Sequence, residues 1–275
     1  MMKKIIWIPS YPKSGNTYVR CFLSHYLYNS SSDFTFESLD KIPKFESKKI
    51  FNKVMDPGIY SGKLNYYKYF VEVQKRLIKN YNQKELIFKT HHFFGEINNF
   101  QFTTKETTLF FIYIVRDPRE VLVSYSNYKN KKINEELKTF LSDTLLLNSG
   151  METIINWGAH YRSWKSFKSV PSIFIKYEDL VTNPIKYYMK LLNFLSDFID
   201  IKIDKKLFDK TIKFTMFDNL KMLENKNGFK EGEIAQVKNF FNTGKTNSWE
   251  GILNKYHTDA IEKKFNKEMN ELNYI

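Results

Sequence analysis

Tyr11-Pro-Lys-Ser-Gly-Asn-Thr17 directly follows a short apolar run, residues 5–8. It puts a lysine, two hydroxyls and a glycine where a strand stops and a helix begins. Gly15 lets the backbone approach an anion closely. The first amides of the following helix have no partner within it, and the helix dipole favours negative charge there. Lys13 adds a mobile cation, and the hydroxyls of Ser14 and Thr17 can donate to phosphate oxygens. The order differs from a Walker A loop, whose lysine follows its second glycine; Lys13 precedes the only glycine here. Ordinary strand-to-helix turns also use Pro, Gly and Ser, so the loop alone leaves a plain turn open.

A second segment, Val115-Arg-Asp-Pro-Arg-Glu-Val-Leu-Val-Ser-Tyr125, again begins where an apolar run (residues 109–115) ends. Arg116 stands at the strand end, and Ser124 about two helical turns later. An arginine fork and a hydroxyl suit a terminal phosphate. Taken alone, the same residues read rather better as a helix start at Pro118, with Arg116 paired to Asp117 or Glu120. A third segment, Lys89-Thr-His91, follows the apolar run 86–89. Histidine is the side chain suited to proton transfer near neutral pH. The chain has five: His25, His91, His92, His160 and His257. A lone histidine is usually structural, but His91 comes directly after a strand and so should face a ligand crevice.

The elements needed to position these groups are legible. Strands are expected over residues 5–8, 86–89, 109–115 and 172–176. Helices are expected over 17–28, with Asn16 or Thr17 as N-cap, and over 66–81, 118–129, 135–147, 152–167, 184–198, 204–214 and 258–272. Residues 30–61 read as loop or short helices. Short apolar strands alternating with helices indicate one α/β domain over residues 1–275, with a central parallel β-sheet flanked by helices. Ligands bind such sheets at the carboxyl ends of the strands, where all three segments lie.

Composition sets outer bounds. The 275 residues are 42% hydrophobic and 17% aromatic, which excludes a disordered chain. The net charge of +13 favours anionic partners such as a nucleotide, an acidic glycan, nucleic acid or a membrane surface. The single cysteine, Cys21, excludes an intramolecular disulfide and sits in an apolar stretch as a buried thiol. No run is long enough to span a membrane. Pro9 to Gly15 interrupts the apolar start too early for a signal peptide, so a cytoplasmic enzyme is expected.

Taken together, the segments resemble the sulfotransferases that use 3′-phosphoadenosine 5′-phosphosulfate (PAPS). In that family Tyr-Pro-Lys-Ser-Gly-Thr-Thr follows the first strand, and this chain departs only at Asn16. The resemblance implies a P-loop-like fold, with Lys13, Ser14, Gly15, Asn16, Thr17 and Tyr18 around the 5′-phosphosulfate. It implies that Lys13 stabilises the departing phosphate and that Arg116 and Ser124 hold the 3′-phosphate. Arg119 and Glu120 also match, and are expected at the surface or behind the contacting residues. Tyr177-Glu-Asp-Leu180 and Thr215-Met-Phe217 resemble the family's adenine-side segments, placing Tyr177, Thr215 and Phe217 near the base and Leu180 and Leu220 in the core. Phe241-Asn-Thr-Gly-Lys-Thr-Asn-Ser-Trp249 resembles the loop that closes over the 3′-phosphate. Gly244 and Trp249 match, while Asn242 and Thr243 replace Arg and Lys; Lys245 or Lys238 could restore the charge. By the same resemblance His91, rather than His92, is the base, and Lys89 positions the acceptor or the sulfonate.

The implied reaction is in-line transfer of a sulfonate from PAPS to a hydroxyl or amine acceptor, without a metal. The acceptor is expected to be a small molecule or glycan. The motif forms look most like those of bacterial sulfotransferases. Two other classes compete. A P-loop kinase or NTPase would need Asp117 as a magnesium ligand. A basic nucleic-acid-binding module would suit the charge, but no RNP-type or zinc-finger pattern appears, and no nucleic-acid partner is expected. The oligomeric state is not specified by any motif.

Overall fold

The computed structural model describes residues 3–28, 32–60, 66–80, 84–148, 151–229, 240–241, 244 and 246–275. Its strands are β1 (Ile5–Pro9), β2 (Leu86–Thr90), β3 (Glu96–Ile97), β4 (Phe100–Gln101), β5 (Thr108–Val115), β6 (Leu146–Asn148), β7 (Glu152–Ile154) and β8 (Ser172–Lys176). Its first seven helices are α1 (Asn16–Tyr28), α2 (Lys48–Phe51), α3 (Pro57–Tyr60), α4 (Phe70–Asn80), α5 (Pro118–Lys129), α6 (Ile133–Leu141) and α7 (Trp157–Lys165). The rest are α8 (Tyr177–Thr182), α9 (Pro184–Ser196), α10 (Lys205–Thr215), α11 (Phe217–Asn227), α12 (Lys255–Lys264) and α13 (Asn266–Glu271).

The expected parallel sheet is present, with four strands in the order β2-β1-β5-β8. β1 runs parallel to β2 from Ile5↔Leu86 to Pro9↔Thr90, and parallel to β5 on its other edge. Every residue of β1 and β2 is buried. A strand covered on both faces reads as a continuous apolar run, which is why β1, β2 and β5 were visible in the sequence.

The chain divides into two compact units. The first comprises Met1–Tyr11, Pro43–Ile114 and Ser142–Phe174. Trp7 of β1 anchors its core, edge-on to Phe45 at 5.0 Å and packed on Phe88 and Phe102. The Trp7 indole N–H donates to Thr103 and Thr108, so its one polar atom is satisfied. Phe70 of α4 packs on Phe45 and Phe102, and Trp164 of α7 on Phe111. The outer edge of β2 is covered by residues 43–45: Lys89 N–H donates to the Pro43 carbonyl, and Phe45 N–H to that of Lys89.

The second unit comprises Pro12–Ile42, Val115–Leu141 and Ile175–Ile275. Phe22 of α1 stacks on Tyr188 of α9 at 4.0 Å and meets Phe208 of α10 edge-on. Cys21, Leu180 and Leu220 are fully buried in this unit, as expected. Arg20 is buried too, with its guanidinium spent on the carbonyls of Leu39 and Ile42.

Four expectations need correction. Residues 152–167 are not one helix: Glu152–Ile154 is a strand paired antiparallel with Leu146–Asn148. The β-branched Thr153 and Ile154 favour extended backbone, and the Asn156 side chain accepts from Ala159 N–H, capping α7 only from Trp157. Residues 135–147 are likewise shorter as a helix, because Ser142 turns the chain by accepting from Thr144 N–H. The charged C-terminal helix breaks in two at Phe265, which turns into the core at 1% exposure. α1 begins at Asn16 itself, so the residue before it is Gly15 rather than Asn16 or Thr17. Helix α11 was not foreseen.

The first unit also buries two carboxylates. Glu46 is 2% and Glu152 1% exposed, with Lys44 ion-paired to Glu152 at 3.1 Å. The Thr90 hydroxyl donates to Glu46. Burial, then repulsion from Glu152, raises the Glu46 pKa to about 8. The folded chain therefore holds a proton that the unfolded chain releases above its ordinary 4.5. His92 and His160 act in the opposite sense: burial lowers them to about 4 and about 3, so acid favours the unfolded chain below pH 6.5. Stability is expected to peak near pH 6.5 and to fall as pH rises from there to about 8. E46Q should flatten the alkaline limb and steepen the acid limb, because Glu46 opposes the two histidines between pH 4.5 and 6.5. Melting temperatures of both proteins from pH 5 to 8.5 check this; an unchanged alkaline limb in E46Q would contradict it.

Candidate active site

The loop between β1 and α1 adopts backbone conformations that few sequences allow. Lys13 has φ +67° and Gly15 φ +93°. A Cβ at Gly15 would lie 2.3 Å from Tyr177 Cδ2, so only glycine fits between the loop and that ring. Left-handed residues in a short loop aim successive amides at one point, and the N-terminus of α1 adds its unpaired N–H groups. Ser14 is fully buried, yet its Oγ has no hydrogen-bond partner among the described residues. A buried hydroxyl in that condition is costly unless something else receives it. Its position at the head of α1 fits an anionic oxygen.

Asn16 and Thr17 are buried in the first turn of α1. Tyr18 points inward, with its ring edge-on to Tyr177 and Tyr188. Burial raises its hydroxyl pKa, so it stays protonated. The Lys13 ammonium lies over the rings of Tyr128 and Phe240, at 4.5 and 4.4 Å.

Arg116, at the end of β5, contacts Lys13, Glu120 and Tyr177. It donates to the Lys13 carbonyl at 3.2 Å and to Glu120 at 3.0 Å, and its guanidinium lies 4.4 Å over the Tyr177 ring. The segment after β5 thus touches the segment after β1. Ser124 is half-buried two turns along α5.

Arg119 and Glu120 are not surface residues. Arg119 is 7% and Glu120 2% exposed. Arg119 grips both oxygens of Asp117, pairs with Glu262 at 2.8 Å, donates to the Tyr274 carbonyl and lies 4.1 Å over Trp249. Glu120 accepts from Arg116, from Ser248 Oγ and from Trp249 N–H. One carboxylate thus joins Arg116 to the segment carrying Trp249. The Arg-x-x-x-Glu spacing, one helical turn, was the available signal; Ser248 lay too far along the chain to be linked to it.

Tyr177 opens α8 and packs on the loop glycine. Thr215 is buried, its hydroxyl donating to the Thr211 carbonyl within α10. Phe217 opens α11 at half burial and lies under Gly244, where a Cβ would come within 2.3 Å of its ring. Lys245, Lys238, Asn242 and Thr243 lie outside the described residues.

Lys89 and His91 belong to the first unit. Lys89 is 7% exposed at the end of β2. The His91 ring Nδ1 lies 2.8 Å from the Ser10 carbonyl and 3.2 Å from Ser10 Oγ. A carbonyl only accepts, so Nδ1 carries the proton and Nε2 is the basic nitrogen. His92 is different. Its ring is 1% exposed, stacked on Phe93 and Phe102, with Nε2 unpartnered among the described residues. The other three histidines hold the fold: His25 bonds Thr211 and the Ser32 carbonyl, His160 bonds Tyr113, and His257 completes a capping box at α12. Among the described residues no group of three or more His, Cys, Asp or Glu could hold a metal ion, and no helix is long and apolar enough to cross a membrane.

Comparison with known proteins extends this picture. Amine sulfotransferase of the rabbit (Oryctolagus cuniculus) is 21% identical over 279 residues, which cover 97% of this chain and 81% of that protein. Flavonol 3-sulfotransferase of Flaveria bidentis is 28% identical over 170 residues, covering 58% of this chain and 53% of that one. In fold, the chain is similar to mouse sulfotransferase SULT7A1, solved in complex with PAP, with a TM-score of 0.63 at 17% identity over 98% of this chain and 84% of that one. The family model of the sulfotransferase domain matches residues 3–273. On that match the chain belongs to the sulfotransferase family.

Proposed function

We propose that this sulfotransferase moves a sulfonate group from PAPS to a hydroxyl or amine of a small-molecule or glycan acceptor, with His91 as base and Lys13 at the leaving group. The observation that carries the donor reading is the buried Ser14 Oγ at the head of α1, unpartnered among the described residues, in a loop with left-handed Lys13 and Gly15. When bound, the donor supplies the sulfonate and an adenosine 3′,5′-bisphosphate leaving group. Ser14, Gly15, Asn16 and Thr17 hold its 5′ end. Arg116 and Ser124 hold the 3′-phosphate. Tyr177, Thr215 and Phe217 form the base side, with Gly244 and Lys245 completing it.

His91 Nε2 takes the acceptor proton as the acceptor oxygen or nitrogen bonds to sulfur. Lys13 and the loop amides offset the negative charge on the bridging oxygen as its bond to sulfur breaks. Lys89 orients the acceptor or the sulfonate. The kinase reading loses its metal ligand, because both Asp117 oxygens are held by Arg119. A cytoplasmic setting goes with this reading; two relatives are named cytosolic sulfotransferases. The test is transfer from labelled PAPS to a panel of phenols, alkanols, amines and glycans. Transfer to at least one class is expected, and none to any, with no binding of adenosine 3′,5′-bisphosphate, would overturn the reading.

A further inference from the structure

Helix α7 holds the turn after β2 at three points. His160 Nε2 lies 3.1 Å from the His91 carbonyl, Trp164 Nε1–H donates to the His92 carbonyl at 2.9 Å, and Ser163 Oγ accepts from Phe94 N–H at 3.1 Å. The three donors and acceptors stand at i, i+3 and i+4, on one face of the helix. Trp157, His160, Tyr161 and Trp164 are the large buried side chains of α7. The central contact is the one to His91.

We infer that His160 is the positioning residue for His91, donating Nε2–H to the His91 main-chain carbonyl while the Tyr113 hydroxyl fixes its tautomer. The inference rests on His91 being the base. The logic follows from which atoms can donate. The His91 carbonyl only accepts, so His160 Nε2 carries the proton. Its Nδ1 is then an acceptor, and the Tyr113 hydroxyl, 2.8 Å away, donates to it. Tyr11 closes the site with its ring edge-on to His160 at 5.9 Å. His160 is fully buried. Burial lowers its pKa to about 3, so it stays neutral and keeps this arrangement at any pH where transfer is assayed.

The effect reaches the His91 ring through its backbone. His91 is held at two atoms: its ring Nδ1–H donates to the Ser10 carbonyl, and its own carbonyl receives His160. Ser10 directly follows β1, so the ring is referred to the central strand of the sheet. Releasing the carbonyl lets the His91 backbone rotate, and the ring then loses its alignment on Ser10. The same support of a functional histidine by a buried partner behind it is general to sites that need one tautomer.

The test needs no acceptor. Protein labelled with 15N-histidine is compared by ring-nitrogen NMR for wild type, H160L, H160Q and Y113F, with the His91 signals assigned from H91Q. The wild type should show His91 as the Nδ1–H tautomer. In H160L the preference for that tautomer should drop by about fivefold, the worth of one hydrogen bond. In H160Q the amide N–H replaces the donor, and most of the preference should return. Y113F should fall between. Calorimetric affinity of H160L for adenosine 3′,5′-bisphosphate should stay within about twofold of wild type, since no donor-holding residue is touched. An unchanged His91 tautomer in H160L overturns the inference. So does H160Q behaving as H160L with affinity and melting temperature lost together, because His160 would then only support the fold. Failure of the base reading is separate: H91Q would still transfer sulfonate from PAPS to 2-naphthol at the wild-type rate, whatever the NMR shows.

Discussion

Lys13→Met is expected to lower kcat for sulfonate transfer by about a thousandfold, the size of effect seen when a preorganised charge donor is removed from a developing anion. Lys13 is a non-glycine residue held at φ +67°. That region costs an L-residue about 1–2 kcal/mol. Strain of this kind persists only where the surroundings fix it. Here the Arg116 guanidinium grips the Lys13 carbonyl, and the Tyr128 and Phe240 rings flank its ammonium at 4.5 and 4.4 Å. The methionine chain keeps the length and the aromatic contacts, so the fold should survive. Affinity for adenosine 3′,5′-bisphosphate should fall by about tenfold or less, because the proposed contacts of the loop amides and Arg116 remain. Steady-state rates with labelled PAPS, paired with calorimetry, separate the two effects. A Lys13→Met protein within tenfold of wild-type kcat would remove Lys13 from the chemistry.

His91→Gln is expected to cost about 10²- to 10⁴-fold in kcat, the contribution of a positioned base. The amide can still reach the Ser10 carbonyl, so geometry changes little while the basic nitrogen is gone. KM for PAPS should stay near wild type. The informative control is His92→Phe. The His92 ring already sits among Phe70, Phe93 and Phe102, with a nitrogen unpartnered among the described residues. A phenyl ring there removes the unpartnered Nε2 together with the Nδ1–H bond to the Phe93 carbonyl, so activity should be kept and stability should change little. The reverse pattern, an active H91Q and an inactive H92F, would move the base by one residue.

These two residues also mark what the sequence could and could not convey. Ile5–Pro9, Leu86–Thr90 and Thr108–Val115 were visible because a strand buried on both faces has to be apolar throughout. The motifs that follow them were visible because their residue types are set by local needs: a glycine at φ +93°, a proline at the first turn of α5, an arginine at a strand end. What escaped was set by partners far along the chain. Glu152–Ile154 has the charges of a helix, but Glu152 is buried against Lys44. Arg119 and Glu120 were expected at the surface or behind the contacting residues; Glu262, Ser248, Trp249 and Tyr274 place them in the second position, buried. His160 was one more apolar-face histidine until its nitrogen met the carbonyl of His91. In each case a polar group tolerates burial only because a distant partner satisfies it, and pattern reading has no access to that partner.

The central claim is that the β1–α1 loop is built to receive the phosphate end of a nucleotide, and Ser14 tests it most directly. Its hydroxyl is buried without a partner among the described residues. Ser14→Ala should therefore leave the melting temperature of the free protein unchanged or raise it by about 1–3 °C. It should also weaken binding of adenosine 3′,5′-bisphosphate by about tenfold to a hundredfold, the loss of one hydrogen bond to a charged group. Melting curves of both proteins, with and without the bisphosphate, read the two effects in one experiment. Wild type should show a larger ligand-dependent rise than the alanine variant, from an equal or lower starting point. A wild-type protein whose melting temperature does not move with saturating bisphosphate, or an alanine variant that gains as much as wild type, would contradict it.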